Sequence, residues 1–287
     1  MKKTNYHTHC TFCDGKNSIE EMTLSAIEKG FDILGFSSHA MLPLSDDWHI
    51  AINNYPLYVK EIQKLKEKFH DKIELYTGFE ADYIQKKTLP SIKTYAPYKP
   101  DYIIASVHFV PSEKGYFEAD GDLLETRKNI KEYFGDDVKK AVCEYFENER
   151  RMLNEGDFSV IGHCDLIRIQ NGTEEMQKKG LGPLFSENES WYRNEIKETA
   201  RQIAKSGVIA EVNTGGLARK RIDDSYPSLE FLELLHEYNV PLTLNSDSHS
   251  TDSLDFAFEE SLEKIKKAGY KELSFFSTGS WKFQKID

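Results

Sequence analysis

The chain is 287 residues long, with 39% hydrophobic residues, 12% aromatic residues and a formal net charge of −11. That is enough apolar material for a core in one large domain or two small ones, and an acidic surface repels a phosphate backbone, which disfavours general nucleic-acid binding. The opening Met1-Lys2-Lys3-Thr4-Asn5-Tyr6 lacks the apolar centre of a signal peptide, no apolar run approaches the roughly 20 residues that span a bilayer, and four cysteines without a secretory signal make no disulfide framework. The expectation is a soluble, cytoplasmic protein with no membrane or nucleic-acid partner; homo-oligomer formation is left open.

In chain order, residues 3–9 read as a strand ending in His7 and His9, two imidazoles on one face of an extended backbone. A loop over 10–17 follows, and Ser18 caps a helix with Glu20 and Glu21 in its first turn and Gly30 at its end. A second strand, 31–38, ends at His39; after a polar loop, residues 55–69 have helical spacing. The third strand, 72–79, ends at Glu80, and the fourth, 102–107, ends at His108. An insertion comes next: a loop over 110–122 and a helix over 123–153, readable as a lid or a dimer surface. The fifth strand, 158–162, ends at His163, and a helix over 187–206 leads to the sixth, 208–212, ending near Asn213. A short helix, 228–238, precedes the seventh strand, 240–246, which ends at Asp247 and His249. A helix over 254–268 then leads to the segment 272–276 and a basic tail.

Short apolar strands alternating with helices predict a parallel sheet buried on both faces. Seven such strands point to an α/β fold, a distorted (β/α)7 TIM-like barrel, in one domain over residues 1–287. In such barrels the active site lies at the carboxyl ends of the strands.

Six of the nine histidines stand at those ends: His7, His9, His39, His108, His163 and His249. Glu80 and Asp247 stand with them. So many imidazoles and carboxylates cannot be buried together unpaired, and divalent cations would satisfy them. The ligands exceed what one ion takes, which implies two or three ions, with Glu80 able to bridge. Imidazole suits zinc, iron or manganese better than calcium or magnesium. Asp14-Gly15 reads both as a turn and as a ligand. Glu211 reads as a buried acceptor behind the ligands. His49, His70 and His236 read as surface residues, Cys10 and Cys13 as loop thiols, and Cys164 as packing.

These residues fall in ordered motifs: His7-Thr8-His9 with Asp14-Gly15, Ser38-His39, Gly78-Phe79-Glu80, Ser106-Val107-His108, Gly162-His163-Cys164-Asp165, Glu211-Val212-Asn213-Thr214 and Ser246-Asp247-Ser248-His249. Together they resemble the polymerase and histidinol phosphatase (PHP) superfamily over residues 7–249. Length and motif details most resemble its monofunctional histidinol-phosphate phosphatases. The resemblance implies a trinuclear site. His7, His9, Glu80 and Asp247 would hold the first ion, Glu80, His108 and His163 the second, and Asp14, His39 and His249 the third. Many members have His where this chain has Asp14, and a harder ligand favours manganese or iron over zinc there.

The implied reaction is hydrolysis of L-histidinol phosphate, as in histidine biosynthesis, by a metal-bound hydroxide attacking in line. Glu80, Asp247 and Arg168 are the expected catalytic residues. Arg168, Asn213, Arg219 and Lys220 are the expected substrate contacts, because each follows a strand end and a phosphate needs fixed cations or polar donors. Asp165 or Glu113, with Phe109 or Tyr116, could take the imidazole and amine. A different small phosphomonoester or a nucleotide would fit the same metal site. A barrel amidohydrolase also opens with His-x-His, but its mid-chain ligand is often a carboxylated Lys where this chain offers Glu80. A metal-storage protein would need no phosphate-seeking arginine.

Overall fold

The computed structural model describes residues 1–286, and every side chain among them except those of Thr173 and Glu175. Its strands are β1 (Thr4–Asn5), β2 (Ile33–Phe36), β3 (His39–Ala40), β4 (Glu74–Asp82), β5 (Tyr102–Ser106), β6 (Phe109–Ser112), β7 (Gly115–Glu118), β8 (Val160–Ile161), β9 (Ile209–Asn213), β10 (Leu242–Asn245), β11 (Glu272–Ser277) and β12 (Ser280–Lys285). The sheet order β1-β2-β4-β5-β8-β9-β10 is parallel throughout, and β3 pairs with the far end of β4. This is the expected seven-stranded TIM-like barrel, nearly closed. Between β1 and β10 there is no ladder; a Thr8–Ser248 bridge and two asparagines, Asn5 and Asn245, make the seam.

The strand end carrying His7 and His9 leaves the ladder early for the same reason. The Tyr6 N–H donates to Asn245 Oδ1 at 2.8 Å and the His7 N–H to Asn5 Oδ1 at 3.1 Å, so side chains replace a neighbouring strand. Side chains alternate along the strands. Ile33, Tyr76, Tyr102, Ile104, Val160 and Ile209 point inward and pack with Tyr6 and Phe276. Ile103, Ala105, Ile161 and Val212 point outward against helices. The Tyr102 ring fills the middle of the barrel. A Cβ on Gly35 would lie 2.2 Å from its hydroxyl, and one on Gly78 2.5 Å from its ring, so both positions need glycine.

Around the barrel, Ile19–Glu28 is a helix opened by a Ser18–Glu21 capping box. The insertion differs from expectation. Its loop contains the antiparallel hairpin β6–β7, and its long helix is two, Leu123–Phe134 and Val138–Glu155. The break is local chemistry: Gly135 and Asp136 have φ of 66° and 67°, and Asp137 then caps the second helix. The segment after the last helix is the hairpin β11–β12, whose Phe276 and Trp281 pack on Tyr6 at the amino end of the barrel. No helix among the described residues is long and apolar enough to cross a membrane.

Candidate metal centre

The carboxyl end of the barrel gathers all nine expected ligands. They form four overlapping groups whose ligand atoms lie within 4.8 Å of one another. His7, His9 and Glu80 make one group; His9, Asp14, His39 and His249 another. His108 joins Glu80 and His39, whereas His163 joins His7 and Asp247. The resemblance groups His163 with His108 and Glu80; the two imidazole rings are 5.0 Å apart, and His163 Nε2 is 3.0 Å from Glu80 Oε1. Glu80 is central and fully buried, with its Oε2 2.7 Å from His39 Nδ1 and 3.2 Å from His7 Nε2.

Whether the residues fit cations is decided by where their lone pairs aim. His7 Nε2, His9 Nε2, His39 Nδ1 and Glu80 Oε2 are buried and have no hydrogen-bond partner among the described residues. His39 Nδ1 and Glu80 Oε2 are close but misaligned for a hydrogen bond. Buried polar atoms left this way are costly unless a further group meets them. A divalent cation is the group that accepts imidazole nitrogens and carboxylate oxygens together. The residues fit one.

Electrostatics agree. Burial alone would push the Glu80 carboxyl up, but His7, His39, His108 and His163 hold it well below its ordinary range. Burial, with His249 and His39 beside it, pushes His9 well below the usual imidazole value, so the ring is a neutral lone-pair donor. Asp247 has φ of 49°, a left-handed conformation uncommon outside glycine. Strain of this kind gathers where a side chain must be aimed. A Cβ on the neighbouring Gly215 would lie 2.6 Å from Asp247 Oδ2.

Behind the ligands are two carboxylates. Glu211 accepts from His7 Nδ1 at 2.7 Å, from the His163 N–H at 3.0 Å, and from Asn213 and Asn245 Nδ2 at 2.9 Å. Asp82 Oδ1 meets His108 Nδ1 at 2.7 Å and Asp82 Oδ2 meets His49 Nε2 at 2.7 Å. His49 was expected on the surface; it is 3% exposed, because the loop after β3 folds it under Asp82. The signal for Asp82 was present: it lies two residues past Glu80, on the same face of β4. His70 and His236 are exposed, as expected. Cys10 and Cys13 are free thiols, with Cys13 Sγ 3.6 Å from His9 Nδ1, and burial pushes both thiols up.

Over the ligands opens a cavity of about 630 Å3, walled by Trp48, Lys16, Arg219, Arg221, Glu118 and Asp120. Arg219 donates to Asp247 Oδ2 at 3.1 Å and reaches His249 Nδ1 at 3.4 Å. Three other expected substrate contacts do not line it. Arg168 is 5% exposed and does not line the cavity; it pairs with Glu187 at 2.8 Å, Asp224 at 3.1 Å and Asp165 at 3.6 Å. Asn213 is used up by Glu211 and the Gly215 N–H. Lys220 is exposed with φ of 56° and is absent from the wall. Asp165 is wholly buried, taking the Ser228 N–H. Glu113 lines a separate hollow, and Tyr116 lies under Lys87. Phe109 does not line the cavity and stacks behind Trp48. Lys16, Arg221 and Glu118 were missed because their places depend on how loops fold, not on strand ends.

The chain is similar to a histidinol-phosphatase of Bacillus subtilis, 27% identical over 92% of this chain and 100% of that one. A crystal structure of a Listeria monocytogenes protein superposes with a TM-score of 0.75 at 23% identity, covering 90% of this chain and 99% of the other. A histidinol phosphate phosphatase of Lactococcus lactis, complexed with zinc, L-histidinol and phosphate, superposes with a TM-score of 0.69 at 21% identity, covering 98% and 99%. The PHP domain family matches residues 5–215, the stretch that carries seven of the nine expected ligands gathered at the barrel mouth, and the chain belongs to that family.

Proposed function

We propose that the chain is a metal-dependent phosphomonoesterase acting on L-histidinol phosphate. The observation that carries the chemistry is the convergence of buried, unpartnered imidazole and carboxylate atoms beneath a cavity with arginines in its wall. The substrate is supported by curated relatives named histidinol-phosphatase that match over nearly their whole length. We also propose the ligand set: His7, His9, Glu80 and Asp247 with His163 and His108, and a further position made by Asp14, His39 and His249. Two or three divalent ions, zinc, iron or manganese, would occupy it.

Bound cations would supply a hydroxide at neutral pH and neutralise phosphoryl charge. The protein's own groups do the rest. Glu80 and Asp247 stay ionised, which keeps cations attracted and leaves their oxygens as acceptors. Arg219, held by Asp247 at the cavity wall, is placed to take non-bridging phosphate oxygens as a two-pronged donor. Lys16 and Arg221 add positive charge to the same wall. Glu118 and Asp120 face the cavity and suit a protonated amine, and Trp48 offers a flat aromatic face to an imidazole ring. Arg168, outside the cavity wall and paired with Asp165, Glu187 and Asp224, has a structural role in this reading.

The test is phosphate release from L-histidinol phosphate, p-nitrophenyl phosphate and a nucleoside monophosphate, with chelator-stripped protein reloaded with zinc, manganese, iron(II) or cobalt. The expected preference for histidinol phosphate in kcat/KM is at least about 100-fold, or ~2.7 kcal/mol of transition-state binding. Equal rates would keep the phosphoesterase and discard this substrate. No metal-dependent release from any ester would discard both.

A further inference from the structure

His49 is the one buried histidine outside the proposed ligand set among the described residues. It lies on the loop between β3 and the helix Tyr55–Lys68, where nothing in barrel geometry requires it. Its Nδ1 is 2.6 Å from Asp46 Oδ1 and its Nε2 2.7 Å from Asp82 Oδ2, while Asp82 Oδ1 is 2.7 Å from His108 Nδ1. A row of four side chains thus runs from Asp46, 32% exposed, to an imidazole of the metal centre.

The two carboxylates behind the ligands are built differently. Glu211 is held by a backbone N–H and two asparagine amides from barrel strands. Asp82 is held on its outer oxygen by His49, which comes from a loop. The residue before it, Trp48, walls the cavity and stands edge-on to His39 and His108 at 4.7 and 5.5 Å. One dipeptide therefore places its tryptophan against the cavity and its histidine beneath a ligand's support.

We propose that His49 is a positioning residue of the metal centre: by anchoring Asp82 it fixes the tautomer and ring plane of His108, and through the same dipeptide it ties the Trp48 wall to that ligand. An Nδ1–H held by Asp82 leaves His108 Nε2 as the lone-pair donor facing Glu80, 3.7 Å away. The inference rests on the metal-centre reading above.

The experiment measures zinc affinity by competition with a chromophoric chelator for wild type, His49→Ala, His49→Gln, Asp82→Asn and the His49→Ala/Asp82→Asn pair, with Tm of each metal-free protein alongside. Loss of a ligand's outer partner costs about 10–100-fold in metal affinity. His49→Ala is expected to weaken one class of bound zinc by that factor, and His49→Gln, whose amide can still donate to Asp82, to restore most of it. Asp82→Asn should weaken zinc as well, and the double variant should be no weaker than Asp82→Asn alone, because His49 acts through Asp82. Should His49→Ala not fold, His49→Gln and Asp46→Asn carry the same comparison, the second with a loss near the lower end of that range, about 10-fold. A His49→Ala protein with lowered metal-free Tm and wild-type zinc affinity overturns the proposal, as does strict additivity in the pair. Wild-type protein that binds no zinc, manganese or iron overturns the metal-centre reading itself.

Discussion

Replacing Arg168 with alanine separates two roles that a cation five residues past His163 can have. The guanidinium sits among Asp165, Glu187 and Asp224. Glu187 and Asp224 are 35% and 38% exposed, so water screens those pairs and each is worth at most about 1 kcal/mol. Asp165 is different: it is wholly buried, and its carboxyl is pushed up to about 6 by burial, against Arg168 and the Ser228 N–H. Removing one partner of a buried pair costs about 3–5 kcal/mol. Asp165 can escape part of this by taking a proton, so the lower end applies. At roughly 2 °C per kcal/mol for a chain of this size, Tm falls by about 6 °C. The sign with pH follows from the raised carboxyl. Below its pKa Asp165 is neutral and needs no cation, so the Tm difference shrinks at pH 5 and is full at pH 8. Differential scanning fluorimetry and steady-state kinetics on the same samples decide the case, with kcat/KM expected within about 3-fold of wild type. Adding Asp165→Asn should recover part of the stability. An unchanged Tm with a 30-fold loss in kcat/KM, about 2 kcal/mol, would refute the structural role and return Arg168 to the phosphate.

Arg219→Ala, in contrast, should keep its Tm within a few degrees and lose about 100-fold in kcat/KM, with Arg219→Lys intermediate because lysine lacks the two-pronged geometry; equal activity in wild type and Arg219→Ala would remove it from the site. Chelator should lower Tm, since ions that bind only the folded chain add RT ln(1 + [L]/Kd), or about 2.7 kcal/mol at a hundred times Kd; a Tm indifferent to zinc would count against a built site. Glu149 is buried with a hydrogen bond from Tyr145 at 2.7 Å, and burial pushes its carboxyl well above the ordinary range. The folded chain keeps a proton that the unfolded chain releases above about pH 4.3, so stability drains as pH rises until the folded carboxyl ionises. Glu149→Gln should therefore gain in Tm over wild type at pH 8 compared with pH 5, and a constant difference would contradict this. Gly78→Ala drives a methyl into the Tyr102 ring and should cost about 1–3 kcal/mol by denaturant titration, largely relieved by Tyr102→Leu.

The gathering of these nine side chains at the barrel mouth was legible because strand ends are local: a short apolar run that stops at a His or Glu carries its geometry with it. The same rule misplaced Arg168, for a charge near a strand end says nothing of Glu187 and Asp224 folding over it. Asn213 lies where expected yet is spent on Glu211. His49 could not be read from spacing, since only the fold of its loop brings it under Asp82. Glu118 ends the hairpin β6–β7 and Asp120 lies in the turn after it, inside a stretch whose polar alternation gives no period to follow. Gly135-Asp136-Asp137 did hold the signal for a helix break, outweighed by helical residues on either side.

The seam between β1 and β10 ties the protein's chemistry to the order in which it is made. His7 and His9 lie on one lip; Asp247 and His249 lie on the other, 240 positions apart in the case of His7 and Asp247. A backbone bridge, a Lys16 N–H to His249 carbonyl bond, a Lys3–Asp255 ion pair and a few asparagine contacts join the lips where a ladder would otherwise run. Ions held by residues of both lips would act as a clasp. A chain emerging from the ribosome could not close such a clasp until Asp247 is synthesised, so capture of the cofactor would mark completion of the barrel, not its beginning. Amide hydrogen exchange at Asn5, Thr8 and Ser248 should quicken when chelator is added, with the β4–β5 amides unmoved; equal protection with and without ions would mean that the seam's own protein contacts hold it without ions.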